Sequence, residues 1–176
     1  DMQRFLKDAA DLEAVFIIDS NPAFTVPASF GFREALQKIE TVVSIQSFPC
    51  ETDQYAHFVL NGHHFLESWG DAQPAAGYWN IRQPTVRPLS NSQQAEDILL
   101  WVAAHMGKPM GYKDYRAFLD QQWKRLQSIF GQGAEVDYNF FVKSVLRRGV
   151  LGKPETQKVG SLRSIASLIQ TKPIHT

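Results

Sequence analysis

Ala14-Val15-Phe16-Ile17-Ile18-Asp19-Ser20-Asn21-Pro22 opens on five consecutive apolar residues and closes on a turn-forming Asn-Pro step. A short apolar run without alternation is the pattern of a strand buried on both faces, and such strands belong to parallel sheets. Two more segments read the same way: Thr41-Val42-Val43-Ser44-Ile45 is β-branched and apolar, and Phe58-Val59-Leu60 is a shorter run. Between them, residues 30–39 carry Phe32, Leu36 and Ile39 at helical spacing, with Ser29 placed to cap, and residues 51–56 read as a short helix after Pro49. Strand, helix, strand, helix, strand over so short a length predicts an α/β fold on a parallel, Rossmann-like βαβ sheet.

Downstream the periodicity changes. Gly62, Gly70, Pro74, Gly77, Pro84 and Pro88 punctuate residues 61–89, which predict a long irregular loop with one short strand near 78–81. The remainder reads as a helical C-terminal half. Residues 92–106 place Ile98, Leu99, Val102 and Met106 on one side, with Ser92 as N-cap and Gly107 as terminator. Tyr115, Leu119, Trp123, Leu126 and Phe130 recur at helical spacing within 112–130, and Phe140, Phe141, Val145 and Leu146 do so within 137–148. Residues 1–150 are expected to form one α/β domain and 151–176 a weakly ordered tail.

The chain has 176 residues, 44% of them hydrophobic, enough for one domain with a substantial core. Lys plus Arg and Asp plus Glu are 18 each, which excludes a strong basic footprint for nucleic acid. One cysteine, Cys50, excludes an internal disulfide and any all-cysteine cluster. No apolar run approaches the ~18–20 residues a membrane helix needs, and no signal-peptide pattern is visible. The first residue is Asp1, which leads to the expectation of a processed chain or a piece of something larger.

Reactive side chains concentrate at His57, His63, His64 and Glu67, with Glu51, Asp53 and Asp71 nearby. His64 and Glu67 are weak metal candidates because they can share a helix face. Consecutive His63 and His64 diverge, however, and no dedicated ligand spacing is present. The favoured expectation is no metal, with Glu67, Trp69 and Asp71 acting structurally to hold the 61–89 loop. No residue is assigned as catalytic: Cys50 has no pKa-lowering neighbour in sequence, and there is no Gly-x-Ser-x-Gly elbow or phosphate-cradling glycine loop. Residues 19–22 follow the first strand, where parallel sheets bind ligands. Trp69, Tyr78, Trp79, Arg82 and Arg87 mix aromatic and basic character, which suits a protein interface better than nucleic acid at zero net charge.

Taken together, these segments resemble the molybdopterin oxidoreductases of the dimethyl sulfoxide reductase superfamily. Asp19-Ser20-Asn21-Pro22-Ala23 is similar to their Gly-x-Asn-Pro-Ala step. Glu51-Thr52, followed by Ala56-His57-Phe58-Val59-Leu60, is similar to their Glu-Thr-Ala-x-x-Ala-Asp-x-Val-Leu-Pro element, with His57 where Asp is usual and Asn61 where Pro is usual. The run His64-Phe65-Leu66-Glu67-Ser68-Trp69-Gly70-Asp71, with Gln83-Pro84-Thr85-Val86-Arg87-Pro88-Leu89 after it, looks most like the molybdopterin-like iron–sulfur subunit of bacterial alternative complex III. The likeness covers residues 14–150.

The resemblance implies an internal slice of a larger subunit and three competing roles. One is a scaffold domain in a membrane-associated quinol-oxidising complex, peripheral to the bacterial cytoplasmic membrane and on its periplasmic face. Its partners are then the other subunits and the remaining domains of its own subunit. Iron–sulfur clusters lie elsewhere in that subunit, and no cofactor sits in this segment. In the second role the segment contacts molybdopterin guanine dinucleotide, with Asn21 facing the cofactor. The third is a protein-binding module.

Overall fold

In a computed structural model, which describes residues 2–130 and 137–153, the three apolar runs form one parallel sheet. Strands β1 (Ala14–Ile18), β2 (Thr41–Gln46) and β3 (Phe58–Asn61) lie in that order, Ala14 opposite Thr41 and Val43 opposite Phe58. Central β2 is buried from Val42 to Gln46, because both of its faces are covered. On one face Val42 packs with Ile17, Phe32, Leu36 and Ile39; on the other, Val43 and Ile45 meet Ile98. Each such apolar side chain contributes about 1.5–3 kcal/mol on leaving water.

Helices α1 (Met2–Asp8), α2 (Pro22–Thr25) and α3 (Phe32–Leu36) belong to this layer. The helix expected over 30–39 is interrupted. Gly31 takes φ 68°, which ends a 3-10 turn at Ala28–Phe30 and starts α3, so Ser29 caps nothing. Its apolar face is nonetheless the expected one.

The 61–89 segment is more regular than its sequence suggests. Strands β4 (Gly70–Ala75) and β5 (Tyr78–Arg82) form an antiparallel hairpin whose register shifts between Ala72 and Ala75, around Pro74. A strand reading Gly-Asp-Ala-Gln-Pro-Ala has no β-branched residue, and its proline suits a bulge. Helices α4 (Ala95–His105), α5 (Tyr115–Phe130) and α6 (Tyr138–Arg148) follow. Gln94, not Ser92, is the cap position of α4, whereas Asp137 caps α6 by accepting from Phe140 N at 3.0 Å. Strand β6 (Leu151–Gly152) pairs with β5, so the order of the chain extends past 150; residues 154–176 of the expected tail lie outside the described residues. Gly152 has φ 81°, and a Cβ there would lie 2.1 Å from Gly77 O, so this close pairing demands glycine.

The hairpin, α5 and α6 enclose a second core of Ile81, Leu119, Trp123, Leu126, Phe141, Val142, Val145 and Leu151. Trp123 is fully buried and donates from Nε1 to Asp71 Oδ2 at 2.9 Å. The Arg116 guanidinium lies over Trp69 and Trp123, 3.9 and 4.5 Å from the ring centroids. Gln94 joins the two cores: its Oε1 accepts from Trp69 N at 3.1 Å and its Nε2 donates to Trp69 O at 2.9 Å. Among the described residues no helix is long and apolar enough to cross a membrane.

Trp123→Ala empties the centre of the second core and is expected to lower the unfolding free energy by about 3–5 kcal/mol. Trp123→Phe keeps most of the volume but leaves Asp71 without its donor, at roughly 1–3 kcal/mol. Urea denaturation followed by circular dichroism measures both.

Candidate functional site

The carboxyl ends of β1, β2 and β3 open onto one cleft of about 470 Å³, bounded by the turns that follow each strand. This is where an open parallel sheet presents its loops to a ligand. Asp19, the first residue after β1, has φ 44°, the only positive φ of a non-glycine residue among those described. Aspartate tolerates the left-handed region better than most residues, and this one is pinned: its N–H donates to Ile45 O at 3.0 Å, and Ser47 Oγ donates to its Oδ1 at 3.0 Å.

Asn21 lines the cleft, but its side chain is spent on the 3-10 turn Glu51–Tyr55. Its Oδ1 accepts from Thr52 N at 3.2 Å and Thr52 Oγ1 at 2.8 Å, and its Nδ2 donates to Glu51 Oε2 at 2.5 Å. Thr52 Oγ1 in turn accepts from Ala23 N at 3.2 Å. The Asn-Pro-Ala and Glu-Thr strings therefore form one clasp. The Asn21 amide holds the Glu51 carboxyl below the usual carboxylate range, assisted by backbone hydrogen bonding and by the charge of Arg33.

A polar layer runs under the cleft. Asp53 accepts from Ser44 Oγ at 2.7 Å and from Cys50 N at 2.8 Å, and Gln46 Nε2 donates to Ser20 O at 2.8 Å. Ser44 and Gln46 are buried on β2 and point where an apolar residue would ordinarily sit, so their satisfaction by these loops fixes the loop geometry. Composition could not reveal this layer. Its only sequence signal is the interruption of an apolar strand by Ser44 and Gln46.

The histidines scatter. His57 Nδ1 accepts from Val42 N at 2.9 Å while its backbone N–H donates to Val42 O at 2.8 Å, so it lengthens the β2–β3 ladder. An aspartate, usual here in the resembled motif, also supplies an acceptor. His63 Nε2 lies 3.1 Å from Ser92 O. His64 Nδ1 accepts from Leu66 N at 3.4 Å, so it does not converge with Glu67 on a metal. Among the described residues no three His, Cys, Asp or Glu side chains gather as metal ligands. Glu67 is buried and accepts from Leu89 N at 2.9 Å and His64 N at 3.0 Å; these bonds, that from Leu89 foremost, hold its carboxyl below the usual range. Trp69 and Asp71 face the second core rather than the cleft. Of the aromatic residues of the 61–89 segment, Trp69 and Trp79 pack against the second core.

No protein-family model matches the chain. The assimilatory nitrate reductase catalytic subunit of Bacillus subtilis is 28% identical over 99 residues, 56% of this chain and 14% of that protein. The menaquinone reductase, molybdopterin-binding-like subunit of Nitratidesulfovibrio vulgaris is 23% identical over 111 residues, 61% of this chain and 16% of that protein. Among solved structures, acetylene hydratase from Pelobacter acetylenicus superposes with a TM-score of 0.61 at 18% identity, covering 87% of this chain and 21% of that one. The likeness to the molybdopterin oxidoreductase superfamily holds in sequence and in fold. The chain spans only 14% to 21% of the length of these relatives.

Asn21→Ala strands the buried Thr52 hydroxyl and is expected to cost about 1–3 kcal/mol in urea unfolding. Acid provides a second check. Glu51 and Glu67 both sit below the ordinary value of 4.5, so the stability they add is complete above pH 4.5 and disappears as pH falls below it. Thermal melts from neutral to strongly acid pH are expected to show a shallower acid limb for Glu67→Gln than for the parent chain.

Proposed function

We propose that this chain is a scaffold domain of a larger molybdopterin-oxidoreductase-like subunit in a quinol-oxidising respiratory complex, of the kind alternative complex III represents. By itself it is not catalytic and holds no cofactor. The carrying observation is the clasp: Asn21, Glu51 and Thr52, the residues of the two resembled motifs, spend their side chains on one another. The relative named as a menaquinone reductase subunit is compatible with a place in quinone chemistry. Iron–sulfur clusters belong elsewhere in the full subunit, because a cluster takes about four ligands, usually thiolates, and Cys50 is the sole cysteine here. Its partners on this reading are the remaining domains of its subunit and the other subunits, at the periplasmic face of the cytoplasmic membrane.

The position of the cleft favours a second reading, in which it contacts molybdopterin guanine dinucleotide. The residues present do not fit that group. No lysine or arginine lines the cleft, the Asp19 carboxylate does, and α2 has only four residues and offers little dipole to a diphosphate.

Elemental analysis and the visible spectrum of the purified chain test the proposal. The expected result is iron and molybdenum far below stoichiometry and no absorption beyond that of the protein. Stoichiometric molybdenum, or a pterin released on denaturation, reinstates the cofactor-contacting reading.

A further inference from the structure

The cleft at the carboxyl edge of the sheet has walls and charge at odds with the ligand its position suggests. We propose that it is a docking socket for a protein segment presenting a basic side chain beside an apolar one, and that it refuses phosphate-bearing ligands. The inference rests on the scaffold reading and names the chemistry of the partner.

Aromatic rings form the walls. Phe48, from the turn after β2, is 70% exposed, and Phe65, after β3, is 55% exposed. His64 lies between them, with ring centroids 5.9 Å from Phe48 and 4.2 Å from Phe65. Large rings left this open, yet held against one another, are a surface awaiting an apolar group. A cleft of about 470 Å³ admits one or two side chains.

Charge decides which side chains. Asp19 lines the cleft, and Glu51 and Asp53 lie just behind it. The nearby Arg33 is engaged elsewhere, its Nε and Nη2 donating to Ala23 O at 3.0 and 2.9 Å. Side-chain donors around the cleft are also committed: Asn21 to Glu51, Gln46 to Ser20 O, and the single Ser47 hydroxyl proton shared between Asp19 and His63 O. His64 uses the Nδ1 lone pair to accept from Leu66 N, which leaves its Nε2–H as a single neutral donor at the cleft. An anion entering here meets a carboxylate with little to donate to it. A guanidinium, in contrast, pairs with Asp19 and stacks flat on phenylalanine rings, while a neighbouring apolar side chain fills the space between them.

Amide chemical shifts of the isotopically labelled chain, titrated with three probes, test this. The probes are acetyl-Arg-Phe-amide, acetyl-Glu-Phe-amide and guanosine diphosphate. The expected result is that only the arginine peptide moves the amides of Ser20, Ser47 and Phe48. Asp19→Asn retains a residue suited to the left-handed backbone and an oxygen for Ser47, so its melting temperature should match the parent. It is expected to bind the arginine peptide about three- to five-fold more weakly, the size of an exposed ion pair. An arginine-peptide response unchanged by Asp19→Asn, or equalled by the glutamate peptide, overturns the charge assignment and with it the proposal. Silence from all three probes overturns the socket while leaving the scaffold reading standing. A response to guanosine diphosphate at these amides overturns both.

Discussion

The Asn21 carboxamide ties the turn after β1 to the turn that leads into β3, and the carboxyl edge of the sheet depends on that tie. Its oxygen receives two donors from Thr52, whose hydroxyl then receives Ala23 N. Thr52 is fully buried, so losing Asn21 costs more than one net hydrogen bond is worth: the groups it leaves have no water to replace it. The polar residues of β2 follow from the same closure. Ser44 is tolerable inside an otherwise apolar strand only because Asp53, on the clasped turn, accepts its hydroxyl. The turn that presents Asp53 also presents Cys50 and Pro49 to the cleft, so one amide side chain governs both the interior of the edge and its outer shape.

Beyond that edge the molecule is two cores joined by side-chain-to-backbone hydrogen bonds at the start of α4. Gln94 makes a reciprocal pair with the backbone of Trp69, and Asp97 accepts from Tyr115 N at 2.6 Å. Both acceptors sit at the start of α4, whose Ile98 packs against Val43 and Ile45 of β2, so that helix belongs to each core. What the two cores leave outside is unusually apolar. Phe58, Val59 and Leu60 on edge strand β3 are 59%, 51% and 37% exposed, and Leu89 is 93% exposed. An unguarded apolar edge strand is a liability for a free-standing domain, and it is consistent with a segment that covers a small fraction of its longer relatives.

How legible this was in the sequence depended on what held each part together. Strands β1, β2 and β3 declare themselves as unbroken apolar runs, but the double burial that such runs predict holds only for β2. Strand β1 buries Ile17 alone, and every residue of β3 is exposed, because β3 is an edge of the sheet. The face of α3 was visible through Phe32, Leu36 and Ile39, although the start of the helix was not. Gly31 can end one turn and begin another only through its backbone conformation, which a side-chain pattern does not encode. The β4–β5 hairpin was hidden because it is stabilised from outside itself, by Trp123 reaching Asp71 across 52 positions. The clasp escaped for the same reason. Asn21 and Thr52 are 31 residues apart, and each alone reads as an ordinary turn residue.

That a superfamily signature can serve stability changes what the signature reports. Asn-Pro and Glu-Thr here are explained by the contacts they make with each other, so their presence indicates this edge geometry before it indicates any cofactor. Position 57 bears this out from the opposite side. The resembled motif has aspartate there and this chain has histidine, yet the need is the same: an acceptor for Val42 N beside the start of β3, which Nδ1 of a neutral imidazole meets as well as a carboxylate oxygen. A substitution that changes charge but preserves the acceptor is tolerated by the fold. Binding a diphosphate is less forgiving, since it needs cations or free donors directed into the cleft, and the lining side chains supply neither abundantly. On the scaffold reading proposed above, the residues that preserve the edge and those that would hold the cofactor are separable sets.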